Sequence, residues 1–327
     1  MKSILVSLSV ILLFSACSGK KYFEPENAES ISLNDSSLSS SIKSFNRAGA
    51  TLEDNKFITQ AGVSDIKLPE GFEFINHTDD GRVIATNYLN KILIGNEERA
   101  TNDVVVAASQ VGEKLAVIYS NNTIELLDMN SNKTLFKEYL PLSLANDTRI
   151  ANPVFFGNLI LFPTLNGRVL IVSSVNNEQV RNVAVDHEHD VNNIIELSII
   201  QDTQTLIVAS PNKIVSISPK EILSKSYKLR DVLVENDAIY IATIDGQIIK
   251  LNHNLEEVAK KKYKYAKFHT LALGYSSLYA LESQGFLVNI NKDFTEDKVY
   301  NFSFDNEDKV FTSGNNLYYG SKSVVLP

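Results

Sequence analysis

From about residue 81 onward, short runs of apolar residues recur in pairs, and each pair is separated by a turn that contains Gly or Asn. The copies are KLAVIYSNNTIELLD (114–128), NLILFPTLNGRVLIVS (158–173), TLIVASPNKIVSIS (205–218), AIYIATIDGQIIKLN (238–252) and SLYALESQGFLVNIN (277–291), with a weaker first copy at 82–96 and a truncated last copy at 316–327. The runs are rich in β-branched residues, which are typical of half-buried strands. Each copy therefore predicts a β-hairpin.

The copies also share a register. Their turn residues are Asn90, Asn122, Gly167, Asn212, Gly246, Gly285 and Ser321, which lie about 38.5 residues apart on average. In the five clearest copies, the second and fifth residues after the turn are aliphatic and the sixth is small or polar. Gly or Asn at the turn supplies the positive φ of a tight hairpin, and the sixth residue ends the second strand.

About 20 residues separate one hairpin from the next, which is enough for two weaker strands such as Thr134–Leu140 and Tyr300–Phe304. A four-stranded unit of about 40 residues, repeated without long helices, is typical of a β-propeller blade. The sequence therefore predicts an all-β propeller over residues 49–327, with seven blades favoured and an eighth, degenerate blade allowed from residues 50–75. A solenoid of hairpins is the alternative architecture.

The ring must close, because open sheet edges invite aggregation. The last copy stops after its second strand, so strands near the N-terminus have to complete it. We expect Lys56–Gln60 and Phe72–Asn76 to pair with the C-terminal hairpin 316–326.

The N-terminus follows a different pattern. Lys2 precedes an eleven-residue apolar run, Ile4–Phe14, and then Ser15, Ala16 and Cys17. The run is too short to span a membrane and matches the apolar core of a secretory signal peptide. The segment resembles the lipobox of bacterial lipoproteins, although Phe14 stands where leucine is usual. We therefore predict that residues 1–16 are a signal peptide and that Cys17 is lipidated; an ordinary signal cut elsewhere is the alternative.

Residues 17–48 are predicted to form a flexible tether behind that cysteine. The stretch Ser36–Ser41 holds five serines in six positions, and apolar residues are sparse. Such a composition buries too little surface to offset the entropy of ordering.

Charge and cysteine content narrow the function. The formal net charge is −8, which does not favour binding to nucleic acid. Cys17 is the single cysteine, so the chain has no disulfide framework and no thiolate zinc site. We expect a protein without a cofactor, exposed to the periplasm.

Two segments carry candidate chemistry. His187 and His189 in Asp186–Asp190 are spaced like a bidentate metal pair on a strand, although a solvated acidic loop explains the same residues. Lys261, Lys262, Tyr263, Lys264 and Tyr265 form a basic, aromatic stretch that could meet anionic lipid or an acidic partner. The alternative is an outer strand whose lysines protect an exposed edge.

No catalytic motif is visible, since the chain has no Gly-x-Ser-x-Gly, phosphate loop or HExxH sequence. We therefore expect that the protein is not an enzyme.

The repeat, clearest at 239–252, resembles the quinoprotein-type (PQQ-like) propeller repeat over roughly residues 80–327. The chain departs from that family in having no tryptophan, which commonly locks neighbouring blades together there. We expect Tyr240, Tyr279 and Tyr318 to fill this role. The missing tryptophan, together with the absence of a vicinal cysteine pair, argues against a bound quinone.

A lipid-anchored propeller of this size looks like the BamB-like lipoproteins of the outer-membrane β-barrel assembly machinery. The resemblance implies a monomer within a complex, held at the outer membrane and facing the periplasm, that binds the barrel insertase and unfolded outer-membrane proteins. Ser18 after Cys17 is consistent with the outer membrane, because an aspartate at that position marks inner-membrane retention in enteric bacteria. The alternatives are a propeller that binds a glycan or another ligand, or a metal-dependent propeller enzyme.

Overall fold

The structure is a computed structural model that describes residues 21–143 and 145–327. These residues form 33 β-strands and no helix, and the strands build eight four-stranded blades. Two short strands, β1 (Glu29–Ser30) and β2 (Asp35–Ser37), precede the blades. The all-β propeller is therefore confirmed, with eight blades.

The first four blades follow one another along the chain. Blade 1 holds β3 (Ile42–Phe45), β4 (Ala50–Leu52), β5 (Phe57–Thr59) and β6 (Gly62–Val63), and blade 2 holds β7 (Glu73–His77), β8 (Val83–Asn87), β9 (Lys91–Ile94) and β10 (Glu97–Ala100). Blade 3 holds β11 (Val105–Val111), β12 (Lys114–Tyr119), β13 (Thr123–Asp128) and β14 (Lys133–Tyr139). Blade 4 holds β15 (Val154–Phe156), β16 (Leu159–Pro163), β17 (Arg168–Ser173) and β18 (Gln179–Ala184).

The last four blades continue in the same order. Blade 5 holds β19 (Glu196–Ile200), β20 (Thr205–Ala209), β21 (Lys213–Ile217) and β22 (Ile222–Ser226), and blade 6 holds β23 (Leu229–Val234), β24 (Ile239–Thr243), β25 (Gln247–Leu251) and β26 (Glu257–Lys262). Blade 7 holds β27 (Phe268–Leu273), β28 (Ser277–Glu282), β29 (Phe286–Asn291) and β30 (Asp297–Asn301). Blade 8 holds β31 (Val310–Ser313), β32 (Asn316–Tyr319) and β33 (Lys322–Val325), with β2 as its fourth strand.

The first strand of each blade is the innermost. First strands of neighbouring blades contact each other, as between β23 and β27, and the contact between β31 and β3 joins blade 8 to blade 1. All seven turns identified in the sequence lie between the second and third strands of blades 2 to 8. Thr134–Leu140 and Tyr300–Phe304 overlap the fourth strands β14 and β30, as predicted.

Eight apolar clusters lie between the blades, one at each of the eight blade-to-blade interfaces. Strand β24 shows how one strand serves two of them: Tyr240 and Ala242 face blade 7, whereas Ile239 and Ile241 face blade 5. Alternate side chains of a strand point to opposite faces of the sheet. The inner strands read as continuous apolar runs because both faces are covered.

Tyrosines pack between the blades, as expected. Tyr240, Tyr279 and Tyr318 are all buried and lie in three different inter-blade clusters. The Tyr240 ring stacks on Phe294 of blade 7, with 6.1 Å between ring centroids. A tyrosine therefore joins two neighbouring blades here.

Hairpin turns depend on a close backbone approach as well as on positive φ. Gly167, Gly246 and Gly285 have φ of 76°, 82° and 86°. In each case the glycine carbonyl oxygen accepts a hydrogen bond from the N–H just beyond the fourth strand, with Val185 as the donor to Gly167 at 2.9 Å. A Cβ at Gly167 would lie 1.8 Å from the backbone oxygen of Asp186. The turn thus binds the backbone of the segment that leads from the fourth strand to the next blade.

Two turns depart from the expected positive φ. Asn212 does not adopt it, and in the last turn Gly320, one residue before Ser321, has φ of 52°. The Asn212 turn follows Pro211, and it is closed by the Ser210 N–H donating to the Lys213 oxygen at 2.9 Å.

The N-terminal segment closes the ring, and we call residues 21–37 the N-terminal strap. Phe23 is buried between Tyr263 and Phe286, at the boundary of blades 6 and 7. Strand β1 then pairs in parallel with β30 of blade 7, and β2 pairs in antiparallel fashion with β33 of blade 8. The strap therefore follows the rim of three blades before the chain enters blade 1 at Ile42.

This arrangement corrects two expectations. Residues 29–45, which the sequence placed in a flexible tether, contain β1, β2 and β3. Strand Asp35–Ser37 completes the C-terminal hairpin, whereas Lys56–Gln60 and Phe72–Asn76 supply β5 and β7 of blades 1 and 2. Composition misled because backbone hydrogen bonds to a sheet edge order a serine-rich strand without burying apolar side chains.

The predicted signal peptide and Cys17 lie outside the described residues. Within the described part of the chain, no helix is long and apolar enough to cross a membrane.

We predict that Gly167→Ala destabilises the protein by about 3 kcal/mol or more, because a methyl group would force the turn away from Asp186 in addition to the cost of positive φ. Gly157→Ala is the matched control: Gly157 also has positive φ, but no atom lies within 4 Å of its added Cβ. The control should lose only about 1 kcal/mol. Urea unfolding of both variants measures the difference, and equal losses would show that the close approach is not limiting.

Candidate functional site

The central channel is occupied by an arginine from blade 1. Arg47 lies in the loop between β3 and β4, which is shaped by Asn46: its side-chain oxygen accepts from the N–H groups of Ala48 at 2.7 Å and Gly49 at 3.1 Å. The Asn46 amide in turn donates to the Phe74 oxygen of blade 2 at 2.7 Å. This bracing aims the Arg47 side chain into the channel.

Arg47 reaches the opposite side of the ring. Its Nε donates to the Ile195 oxygen at 2.7 Å, and its Nη1 donates to Asp231 Oδ1 at 2.9 Å. Glu196 Oε2 lies 3.4 Å from Nε. These partners belong to the start of blade 5 and to blade 6, so one side chain joins blade 1 to the blades that face it across the channel.

The carboxylate of Asp231 gathers several donors. Besides Arg47, its Oδ2 accepts from the Thr270 hydroxyl at 2.9 Å and from the Leu271 N–H at 2.8 Å, both in blade 7. Burial by itself would lower the pKa of Arg47, but the charges of Asp231, Glu196 and Asp147 raise it above its usual value. The guanidinium therefore stays charged and ion-paired.

Arg47 and Asp231 separate two cavities, one at each mouth of the channel. One cavity, of about 290 Å³, is lined by charged residues that include Asp147, Arg149 and Arg230. The other, of about 480 Å³, is lined by Asn76, Asn152, Glu196 and Glu235 among aliphatic residues.

The charged mouth is braced by its own ion pair. Arg149 Nη2 and Asp147 Oδ2 are 2.5 Å apart, and Arg149 Nη1 also donates to the Arg230 carbonyl oxygen. Burial raises the pKa of Asp147, but hydrogen bonds and charge from Arg149 outweigh it and leave that pKa below its usual value. The mouth is thus held by contacts within the protein.

The two predicted histidines are not brought together at a metal site. Both are exposed in the connection that follows β18. His189 Nδ1 lies 2.9 Å from Asp186 Oδ1, while the buried Asp186 also accepts from the Ser210 hydroxyl at 2.7 Å. Across residues 21–143 and 145–327, no group of three or more His, Cys, Asp or Glu side chains could hold a metal ion.

Asp186 gives the Asp186–Asp190 segment a structural role. Burial raises the pKa of Asp186, but hydrogen bonds from His189, Ser210 and the Glu188 N–H outweigh burial and lower the pKa overall. The carboxylate thus ties the connection between blades 4 and 5 to the turn of blade 5.

The basic stretch lies at the end of β26, the outer strand of blade 6. Lys261 pairs with Asp297 at 2.9 Å and Lys262 pairs with Asp245 at 2.6 Å. The Lys262 hydrogen bond is the main cause that lowers the pKa of Asp245 to about 2. Tyr263 is buried and donates to Asp297 at 2.8 Å. Only Lys264 and Tyr265 remain exposed without a carboxylate partner in the described chain.

Exposed large apolar side chains lie on both faces of the ring. Because neighbouring strands within a blade are antiparallel, the turns between second and third strands lie on the same face as the connections between blades. We call this the connector face. Near it lie the exposed large apolar residues Val63, Ile66, Tyr88, Leu89, Tyr139, Leu142, Ile244 and Tyr265, and near the opposite face lie Val111, Val175, Val180, Ile222, Val258, Tyr275 and Val325.

Sequence reasoning missed the Arg47 bridge and the connector-face residues. Nothing in the sequence around Arg47 distinguishes it from other arginines, because its partners lie more than 140 residues away. The apolar residues of the connector face belong to four blades, and they come to lie on one face only in the ring.

We predict that Arg47→Met destabilises the protein by about 2–4 kcal/mol, because it leaves the buried Asp231 and the half-buried Glu196 without their cation. Partial exposure of the Arg47 side chain, at 23%, keeps the loss below that of a fully buried pair. Arg82→Met is the matched control, since Arg82 pairs with Asp80 at the exposed surface and should lose less than about 1 kcal/mol. Equal urea midpoints for the two variants would contradict a structural role for the bridge.

Comparison with known proteins places this ring among β-propellers. It is similar to BamB from Moraxella catarrhalis, with a TM-score of 0.66 and 15% identity over 91% of this chain and 99% of that one. It is equally similar to the C-terminal WD40 domain of Sif2, with a TM-score of 0.66 and 13% identity over 92% of this chain and all of that one. At such identities the likeness concerns the fold.

At the level of sequence, the chain is similar to the plasminogen-binding protein PgbB of Helicobacter pylori. It is 27% identical to PgbB of strains J99 and 26695 over 380 aligned positions, which cover 97% of this chain and 70% of the relatives. No protein-family model matches the chain.

Proposed function

We propose that the protein is a scaffold of the bacterial outer membrane, lipid-anchored at Cys17 and facing the periplasm, which assists the assembly of β-barrel proteins by binding them and their insertase. It acts within a complex, as a monomer, and by binding rather than by catalysis. The observation that carries this proposal is a pair of exposed apolar sites on neighbouring blades of the connector face, with Tyr88 and Leu89 in the turn of blade 2 and Tyr139 and Leu142 at the end of blade 3.

Several features support it. Patches of exposed apolar side chains mark interaction sites on soluble proteins. The ring matches nearly the whole length of BamB, and the channel that other propellers can use for ligands is bridged here by Arg47. The lipobox-like sequence at Cys17 supports the anchor and the location.

The outer strands offer a second mode of contact. Strand β1 covers the edge of blade 7, whereas the outer strands of blades 1 to 6, such as β14 and β18, have no further strand beside them in the described chain. An extended partner segment can add to such an edge through backbone hydrogen bonds. Unfolded outer-membrane proteins contain many strand-forming segments, which can supply the extended backbone that this mode requires.

The experiment compares the two faces in cells. Leu89 and Leu142, which lie on the connector face, are replaced together by Asp in a deletion strain; Tyr275→Asp on the opposite face is the control, with 79% exposure matching that of Leu89. We expect the double variant to fail to restore outer-membrane protein levels, whereas the control restores them. All three positions are exposed, so the variants should keep the unfolding midpoint of the parent.

Photo-cross-linking from positions 89, 142 and 275 identifies the partner. The proposal predicts capture of the barrel insertase from the first two positions and not from the third. It fails if deletion leaves outer-membrane protein levels unchanged and the insertase is not captured.

A second candidate is binding of plasminogen, which is favoured by the 27% identity to PgbB over 97% of this chain. Intact cells with and without the gene would be tested for plasminogen binding. Binding that depends on the gene would place the propeller outside the outer membrane and contradict the periplasmic scaffold. Plasminogen binding only to broken cells, or none, would leave the scaffold as the function.

A further inference from the structure

A small basic surface lies where the strap begins, and we call Lys21, Lys264, Tyr265 and Lys267 the basic rim. The Tyr265 ring is at the centre: Lys21 Nζ lies 5.5 Å and Lys264 Nζ lies 5.1 Å from its centroid. Tyr265 is 39% exposed, and the three lysines are exposed. The rim therefore presents an aromatic ring between cations.

The cations of the rim differ from the neighbouring lysines. Lys261 and Lys262 are paired with Asp297 and Asp245. Among the described residues, no carboxylate oxygen lies within 4.0 Å of the ammonium groups of Lys21, Lys264 or Lys267. In a chain of net charge −8, these three lysines stand out because they lie together without such a partner.

The backbone holds the ring outward. Tyr265 has φ of 68°, a left-handed conformation that is unusual for an aromatic residue. It is kept there by a tight turn in which the Ala266 N–H donates to the Tyr263 oxygen at 3.1 Å. Tyr263 and Ala266 on either side are buried, so the turn leaves Tyr265 at the surface.

The strap fixes this rim close to Cys17. Phe23 packs edge-on against Tyr263 and Phe286 at 6.0 and 5.6 Å, and β1 is paired with β30. Lys21 is therefore held against blade 6, four residues after Cys17. Four extended residues span at most about 14 Å. A lipid on Cys17 would place the rim within that distance of the membrane.

We propose that the basic rim contacts the anionic phospholipid head groups of the leaflet that holds the Cys17 lipid, an inference that rests on the proposed lipid anchor. Lysines are attracted to an anionic membrane surface within about a Debye length, and tyrosine prefers the interface between water and lipid. The propeller then stands with the boundary of blades 6 and 7 on the membrane. The short link to Cys17 favours lipid over an acidic protein at this surface.

The absence of tryptophan from the chain makes a direct test possible. Tyr265→Trp introduces a single indole at the rim, and Tyr275→Trp introduces one at an exposed position of the opposite face. Each lipidated mature protein is reconstituted into vesicles of phosphatidylethanolamine and phosphatidylglycerol, with or without brominated acyl chains. We expect a blue shift and strong quenching for the indole at position 265, and neither for the one at 275.

Charge reversal tests the electrostatic part. Lys264→Glu with Lys267→Glu, in the Tyr265→Trp background, should reduce quenching at 265 several-fold, since each lysine contributes about a fivefold preference for an anionic surface. Lys220→Glu with Lys225→Glu, on blade 5, is the matched control and should leave quenching unchanged.

The outcomes separate this inference from the anchor. If the protein floats with the vesicles but the indole at 265 is no more quenched than that at 275, the rim does not face lipid and the inference is wrong. Capture of an acidic protein by a photo-cross-linker at 265, without quenching, would likewise overturn it. If the lipidated protein does not float at all, the proposed anchor fails instead.

Discussion

The structure depends on one constraint, which is that both faces of every blade are apolar. A single strand such as β24 sends Tyr240 and Ala242 to one neighbouring blade and Ile239 and Ile241 to the other. Each inter-blade cluster buries side chains that would otherwise be exposed to water. Every blade therefore needs a neighbouring blade on both of its faces. A chain built of such sheets is stable only as a closed ring, and eight interfaces join its eight blades.

The need to close the ring explains the path of the N-terminal strap. The C-terminal hairpin lacks a fourth strand, and Asp35–Ser37 supplies it, which commits the preceding residues to the rim of blades 6 to 8. Arg47 adds a second constraint inside the ring, because its hydrogen bonds to Ile195 and Asp231 fix the distance across the channel. Because one strand closes the ring and Arg47 joins opposite blades across the channel, the ring is a rigid support. The surfaces left for binding are the connector face, the open strand edges and the basic rim.

The two segments that the sequence marked as candidate sites have mainly structural roles in the folded ring. His189 and Asp186 belong to a hydrogen-bonded connection, and most of the basic stretch is paired with carboxylates of blades 6 and 7. Only Lys264 and Tyr265 of that stretch stay at the surface without a carboxylate partner in the described chain, and Lys21 of the strap joins them there. The same residues that looked like one long patch in the sequence therefore divide into a structural part and a surface part.

The sequence by itself determined the blade unit and the positions of seven turns, because period-two burial and positive-φ turn residues such as Gly167 are local requirements that each copy must satisfy. It also determined that tyrosines such as Tyr240 would pack between blades. Only the tertiary structure decided the eighth blade, the strand that closes the ring and the partners of Arg47. Strand Asp35–Ser37 pairs with residues nearly 290 positions away through backbone groups that every sequence possesses. Such contacts leave no residue pattern, because what selects them is the geometry of the finished ring.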